Sequence, residues 1–309
     1  MENPPPFKIT PNEMRAMENI LQTERRVDGR QPQETRYFRI EFSTNSAVVH
    51  LGKTLVTCTT TISQEKPDDD RPSEGRHVIS ISSPHKLDYS FQADTVYQLR
   101  AALHHTRALD LESLVIKIGE LVWNLKSDIV IQNNDGGLIE ACHLALVSSL
   151  LSTKLPGPRG LRAIVIHHLP IAITFGFLEA HLIFVDPTLK ESSVLKGFLT
   201  IFANAQGEIC AIHKNGGLPV RQNVIDIAVD KAFEIVRLWH AELMKQMGPN
   251  APPLLKQIIS QKSEEIMETP KTEEEIQREV VEEFQEAAKE EDYEDEDEEV
   301  DPSLLSLLQ

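Results

Sequence analysis

Apolar residues recur along the chain in two rhythms, and the changes of rhythm fall on glycine, proline and asparagine. Thr10-Pro11-Asn12-Glu13 reads as an N-cap, a first-turn proline and a capping glutamate, so a helix is predicted to start there. Met14, Met17, Ile20 and Leu21 form its expected apolar face. Asp28-Gly29 is a turn signal leading to an extended segment from Tyr37 to Phe42. Val48 to Leu51 and Leu55 to Ile62 are rich in β-branched residues and meet at Gly52-Lys53, which predicts a hairpin. A long loop follows, and Val78 to Ser82 reads as a further strand.

The pattern then repeats. Leu114 to Ile118, a Gly119-Glu120 turn, a strand from Leu121 through Ile131, and Asn133-Asn134-Asp135-Gly136-Gly137 lead into a helix from Leu138 to Leu151. That helix is apolar or small nearly all round, so it is predicted to be buried on most sides. Phe198 to Phe202, a Gly207-Glu208 turn, Ile209 to His213 and Asn215-Gly216-Gly217 lead into a second helix from about Val220 to Met247. Its Val224, Ile225, Ala228, Ala232, Ile235, Val236, Trp239 and Leu243 recur mostly at three and four, the spacing of a helix packed on a sheet. The repeated order of strand, Gly-Glu turn, strand, Gly-Gly and helix predicts an α/β fold of two related halves. The expected boundaries are an N-terminal helix and arm over 1–26, halves over 27–154 and 155–249, and a tail over 250–309.

Charge changes the picture only once it is located. The formal net charge is −17, but Ala251 to Gln309 holds 20 Asp and Glu against 5 Lys and Arg, a net of −15, leaving −2 for the body. A run ending in EEDYEDEDEEV has too little apolar surface to offset chain entropy, so the tail is expected to be disordered. Its last residues differ: Leu304, Leu305, Leu307 and Leu308 form a short apolar patch, read either as a peptide that folds on a partner or as an inert end. Cys58, Cys142 and Cys210 lie far apart with no C-x-x-C spacing, so no disulfide, structural zinc or cofactor is expected. The N-terminus lacks a signal-peptide pattern, and a soluble nuclear or cytoplasmic protein is expected.

The stretches ERRVDGR, LGKTLVTCTTTI, DRPSEG, ALDLESLVIKIGELVWNLKSDIVIQNNDGGLIEAC, IHHLPIAITFGF, VDPTLKES and GEICAIHKNGG, in this order over roughly 25–247, resemble the RNase PH family. LDLESL, IHHLPI and VDPT look most like the non-catalytic ring subunits of the eukaryotic RNA exosome. The resemblance implies an RNase PH-like fold of two βαβα-type halves and a hetero-hexameric ring of such subunits around a central channel. It also implies RNA-binding cap subunits, associated ribonucleases and single-stranded RNA as partners, and residence in nucleus, nucleolus and cytoplasm. Active members cleave RNA from the 3′ end with phosphate as nucleophile, which needs cationic groups for phosphate and a carboxylate near the scissile bond. Anchored on Gly207-Glu208, the two catalytic Asp positions of that pattern fall on Ser192 and Phe198, which implies a chain without catalysis. Relative to the family, 96–110 and TKLPGPRGLRAI are short, implying a trimmed helix and a lost strand.

RNA-channel candidates follow from charge. Arg100 and Arg107 are seven apart with His104 between them, and are expected on one helical face that contacts RNA backbone or is solvated or paired with a neighbouring subunit. Arg71 and Arg76 stand beside Asp68, Asp69 and Asp70, so local ion pairing competes with RNA contact. His167-His168 has no third ligand at metal spacing and reads as a packed or hydrogen-bonded pair. Asp186, just before Pro187, reads as a local turn residue, and the two Gly-Gly pairs as strand-to-helix turns needing positive φ. The leading expectation is a structural exosome subunit supporting rRNA maturation and mRNA turnover; the rivals are a phosphorolytic 3′-to-5′ exoribonuclease and an acidic adaptor acting through its tail.

Overall fold

The computed structural model describes residues 9–84, 89–157, 160–179 and 182–248; the expected disorder of the tail and its leucine patch lie outside the described residues. In the first half, helix α1 (Pro11–Gln22) precedes β1 (Phe38–Ser43), β2 (Ser46–Leu51), β3 (Thr54–Glu65), β4 (Arg76–Ser82), α2 (Tyr89–Arg100), β5 (Val115–Lys117), β6 (Leu121–Asn133) and α3 (Leu138–Ser152). A small hairpin, β7 (Lys154–Gly157) with β8 (Gly160–Ala163), occupies the stretch that looked too short for the family. The second half is β9 (Ile171–Phe177), β10 (Ile183–Val185), α4 (Leu189–Ser192), β11 (Gly197–Ala203), β12 (Ile209–Gly217) and α5 (Gln222–Met247).

The first sheet has the order β1-β2-β3-β6-β4, with β5 also paired to β6; the second has the order β10-β9-β11-β12. All pairings are antiparallel except β4 with β6. A parallel neighbour cannot be reached by a tight hairpin, so the chain must cross over between them. That crossover is α2, followed by a π-helical turn over Ala101–His105.

Helix α3 is buried along nearly its whole length and packs on β2, β3 and β9, tying the two sheets into one core. Its N-cap is Gly137 at φ 62°, where a Cβ would lie 2.4 Å from an Arg36 nitrogen and 2.8 Å from an Asp186 oxygen. The second Gly-Gly departs from expectation. Gly216 and Gly217 have positive φ, but Gly217 still pairs with Gly197 in the sheet, and α5 begins only at Gln222. Close approach rather than a turn explains it, since a Cβ on Gly217 would lie 2.1 Å from the Lys196 carbonyl oxygen.

Helix α1 carries the predicted capping box, with Thr10 accepting from the Glu13 amide and Glu13 from the Thr10 amide. Its buried face is narrower than the sequence pattern: Met17 and Leu21 are buried, whereas Met14 and Ile20 are exposed. The reason is the small size of the surface it covers, a cluster of Leu178, Leu182, Phe184 and Leu195 with room for one i, i+4 pair. Among the described residues no helix is long and apolar enough to cross a membrane.

Candidate functional site

Two polar centres stand out against the apolar core. The first gathers residues from three segments: the N-terminal arm, the loop before α3, and the β10–α4 connection. Arg26 is buried with all five guanidinium hydrogen bonds made: to both Glu191 carboxylate oxygens at 2.9 and 2.6 Å, and to the carbonyls of Glu34, Val185 and Asp186. Burial alone raises the Glu191 carboxyl, but the bonds from Arg26 override it and hold the group below its ordinary value. Asp186 is also buried, and accepts from the Arg36 backbone amide, from Arg36 Nε at 2.9 Å and Nη2 at 2.5 Å, and from Arg30 Nη1 at 3.2 Å. It sits at φ 49°, a left-handed conformation that Asp tolerates better than most residues.

Asp186 is therefore not a local turn residue. Its partners lie 150 and 156 positions away, and a pair at that separation leaves no mark in local sequence. Arg26 and Arg30 stand in ERRVDGR and Asp186 and Glu191 in VDPTLKES, so the two stretches meet as donor and acceptor of one ion-pair network. Glu140, in the first turn of α3, joins this centre without a full complement of bonds. Its Oε1 has no hydrogen-bond partner among the described residues, and burial, reinforced by the nearby Asp186 charge, pushes the carboxyl up to about 7.

The second centre is a chain of polar side chains crossing the first sheet. His104 Nε2 lies 2.9 Å from His77 Nδ1, His77 Nε2 lies 3.1 Å from Ser127 Oγ, Ser127 Oγ lies 2.9 Å from Thr60 Oγ1, and Thr60 Oγ1 lies 2.7 Å from Ser149 Oγ. Burial, then the charges of His104 and Arg100, push His77 down to about 3; burial, then Arg100, His105 and Arg71, push His104 down to about 4. Both rings are thus neutral in the folded protein near neutral pH. Because their folded values lie below the ordinary 6.5, the stability they contribute is present above that value and is lost as pH falls toward 4. Substituting His77→Gln is expected to flatten this acid limb, read as the unfolding midpoint from pH 7 to 4; an unchanged slope would remove the pair from the account.

The sequence-derived RNA candidates surround this second centre unevenly. Arg100 ends α2 and Arg71 lies in the β3–β4 loop, both close enough to act on the His104 charge. Arg107 does not share their helical face. The π turn ends at His105, and Arg107 follows it at φ 55°, so the helical register that predicted a common face has stopped. Arg71 pairs with the half-buried Glu74 at 3.3 Å and Arg76 with Asp68 at 3.0 Å, both arginines exposed, a geometry of weak surface pairs that phosphate can displace. His167 is half-exposed beside Asp110 at 3.7 Å, and among the described residues no cluster of His, Cys, Asp or Glu is suited to a metal ion.

Ser192 and Phe198 occupy the surroundings of α4 and β11. The Ser192 hydroxyl donates back to the Thr188 carbonyl within α4, and Phe198 packs against the apolar cluster beneath α1.

Comparison with known proteins places this geometry. The profile of the 3′ exoribonuclease family, domain 1, matches residues 34–156, and that of domain 2 matches residues 168–236. The exosome complex component RRP45A of Arabidopsis thaliana is 35% identical over 247 residues, covering 71% of this chain and 80% of that protein. RRP45B from the same plant is also 35% identical over 247 residues, but the match takes in only 56% of its length. In three dimensions the chain is similar to a subunit of the Archaeoglobus fulgidus exosome with RNA bound to the active site, with TM-score 0.69, 25% identity, and coverage of 75% of this chain and 98% of that one. With both domains matched in order, the chain belongs to the 3′ exoribonuclease family of RNase PH.

Proposed function

We propose that this chain is a ring subunit of an RNA exosome, which supports 3′-to-5′ RNA processing by assembling the ring and lining part of its RNA path, without chemistry of its own. The observation that carries the reading is the continuous similarity to exosome components across both halves, joined to the side chains at Ser192 and Phe198. A phosphorolytic site needs a carboxylate where the family pattern has its aspartates, and here a capping-turn hydroxyl and a packed phenyl ring stand instead. Arg71, Arg76, Arg100 and Arg107 are the cations assigned to RNA backbone, with His104 beside them as a neutral, partly buried ring that contributes hydrogen bonding rather than charge, a set suited to sequence-tolerant contact.

On this reading the partners are other RNase PH-like subunits in a hetero-hexameric ring, RNA-binding cap subunits, associated ribonucleases and single-stranded RNA. The leucine patch at Leu304, Leu305, Leu307 and Leu308 is assigned to a further protein partner. The protein is assigned to the nucleus, nucleolus and cytoplasm, a distribution that imaging of the tagged chain tests.

Affinity purification of the tagged full chain, with mass spectrometry of stoichiometric partners, is expected to return five other RNase PH-like chains and cap proteins. Recovery as a homo-oligomer that releases nucleoside diphosphates from RNA and phosphate would replace this reading with the exoribonuclease.

A further inference from the structure

A cleft of about 690 Å³ shares no lining residue with the histidine chain, and the function assigned above does not use it. It is lined mainly by the arm from Asp28 to Tyr37, with Arg39 of β1, His50 of β2 and the Gly52-Lys53 turn beside it. Phe38 and Ile40 point into the core, so the period-two alternation turns Tyr37 and Arg39 outward. Register then sets His50 directly across from Arg39, while the turn at Gly52-Lys53 closes the strand beside Tyr37.

Asp28, Glu34 and Asp135 also line it, Asp28 paired with Arg30 and Glu34 accepting from the Gln31 amide, and the rest of the lining supplies what a phosphorylated nucleoside needs. Tyr37 is 69% exposed yet oriented: its hydroxyl lies 3.4 Å from a Glu242 oxygen and 3.5 Å from Gln246 Nε2, and its ring lies nearly parallel to Phe38, 17° between planes. Lys53 has no carboxylate within ion-pair distance among the described residues, and Arg39 makes only an exposed pair with Glu41 at 3.2 Å. Thr35 and Thr188 add hydroxyls whose oxygens are already occupied as acceptors, by the Trp239 indole N–H and the Glu191 amide, leaving each O–H to donate. A flat exposed ring with cations one strand-alternation away, about 6.6 Å along the backbone, is the arrangement that stacks a base while holding its phosphate.

We propose that this cleft binds one nucleotide of a single-stranded RNA, with the base on Tyr37 and the phosphate on Arg39 and Lys53. It is a second RNA contact, separate from the Arg71 and Arg100 surface, and it rests on the reading of the chain as an RNA-handling subunit. Glu41 competes with phosphate for Arg39 and His50, so occupancy is expected to be salt-sensitive. Stacking makes it tolerant of sequence.

The test uses ring assemblies purified through the tagged full chain, wild type or variant, with oligouridylate carrying 4-thiouridine. Photo-crosslinking followed by peptide mapping is expected to place an adduct on Tyr37, and Tyr37→Ala and the pair Arg39→Ala with Lys53→Ala are each expected to raise Kd about tenfold. The paired variant should also lower the dependence of Kd on salt. These side chains are exposed, and unchanged unfolding midpoints would verify that the variants remain folded. Adducts confined to 71–107 with Kd unchanged in the variants would overturn the cleft while leaving RNA handling intact. Absence of any RNA binding by the wild-type assembly would overturn both. Displacement of the RNA from Tyr37 by uridine monophosphate at equal nucleotide concentration would overturn the assignment to an RNA strand.

Discussion

Replacing Arg36 with alanine is expected to lower folding stability by about 3–5 kcal/mol, the range for removing one partner of a buried ion pair. The cost does not come from the pair's net worth, which desolvation largely cancels, but from the charge left behind. Asp186 is buried, and without Arg36 it keeps only the 3.2 Å contact to Arg30 as its charged partner. The same change frees the Asp135 carbonyl in the loop before α3, which receives Arg36 Nη1 at 2.9 Å. Loss is therefore expected to spread from the N-terminal arm to the start of α3 and to the β10–α4 connection. Arg36→Lys should recover only part of it, because an ammonium cannot give parallel bonds to both carboxylate oxygens. Urea unfolding of the full chain checks both variants, and an Arg36→Ala loss under about 1 kcal/mol would mean that the network is not a central constraint.

The second large effect is a pH dependence centred on Glu140. Its folded value, about 7 against an ordinary 4.5, means that the folded state holds a proton the unfolded chain releases. The corresponding stability is fully present below 4.5 and is lost as pH rises through about 7, amounting to about 3 kcal/mol. Glu140→Gln keeps the shape of the protonated carboxyl and cannot ionise, so its stability relative to the wild type should grow as pH rises from 4.5 to about 7 and stay constant above that. Parallel profiles would sink the assignment. The buried histidines slope the other way, since His77 and His104 destabilise the fold as pH falls below 6.5. The two opposed slopes place maximum stability in the slightly acid range for wild type and broaden it toward alkaline pH for Glu140→Gln.

These two expectations involve residues that sequence reasoning treated very differently. ERRVDGR and VDPTLKES stood out as stretches of family resemblance, but nothing in either showed that Arg26 meets Glu191 or that Arg36 meets Asp186. Glu140 sat in a helix whose apolar surroundings were legible, and its ionisation follows from combining that burial with a carboxylate brought from the other half of the chain. Tyr37 and Arg39 were readable as strand residues, yet their grouping with Lys53 and Thr188 depends on register and on the β10–α4 connection.

By itself the sequence determined the elements and the family: the capping box of α1, the hairpin at Gly52-Lys53, the buried α3, and the stripe of α5 are all encoded within a few residues of where they form. It also determined that Ser192 and Phe198 cannot supply carboxylates, which is a matter of composition alone. Tertiary structure decided the rest. It ended the helix before Arg107, narrowed the buried face of α1, and kept Gly217 inside a strand, because each depends on how much surface a neighbour offers. It alone assembled the arginine–carboxylate centre and the histidine chain. Local propensity acts over one or two turns of chain, whereas the energy of a buried charge is set by whatever the fold brings to within a hydrogen bond of it.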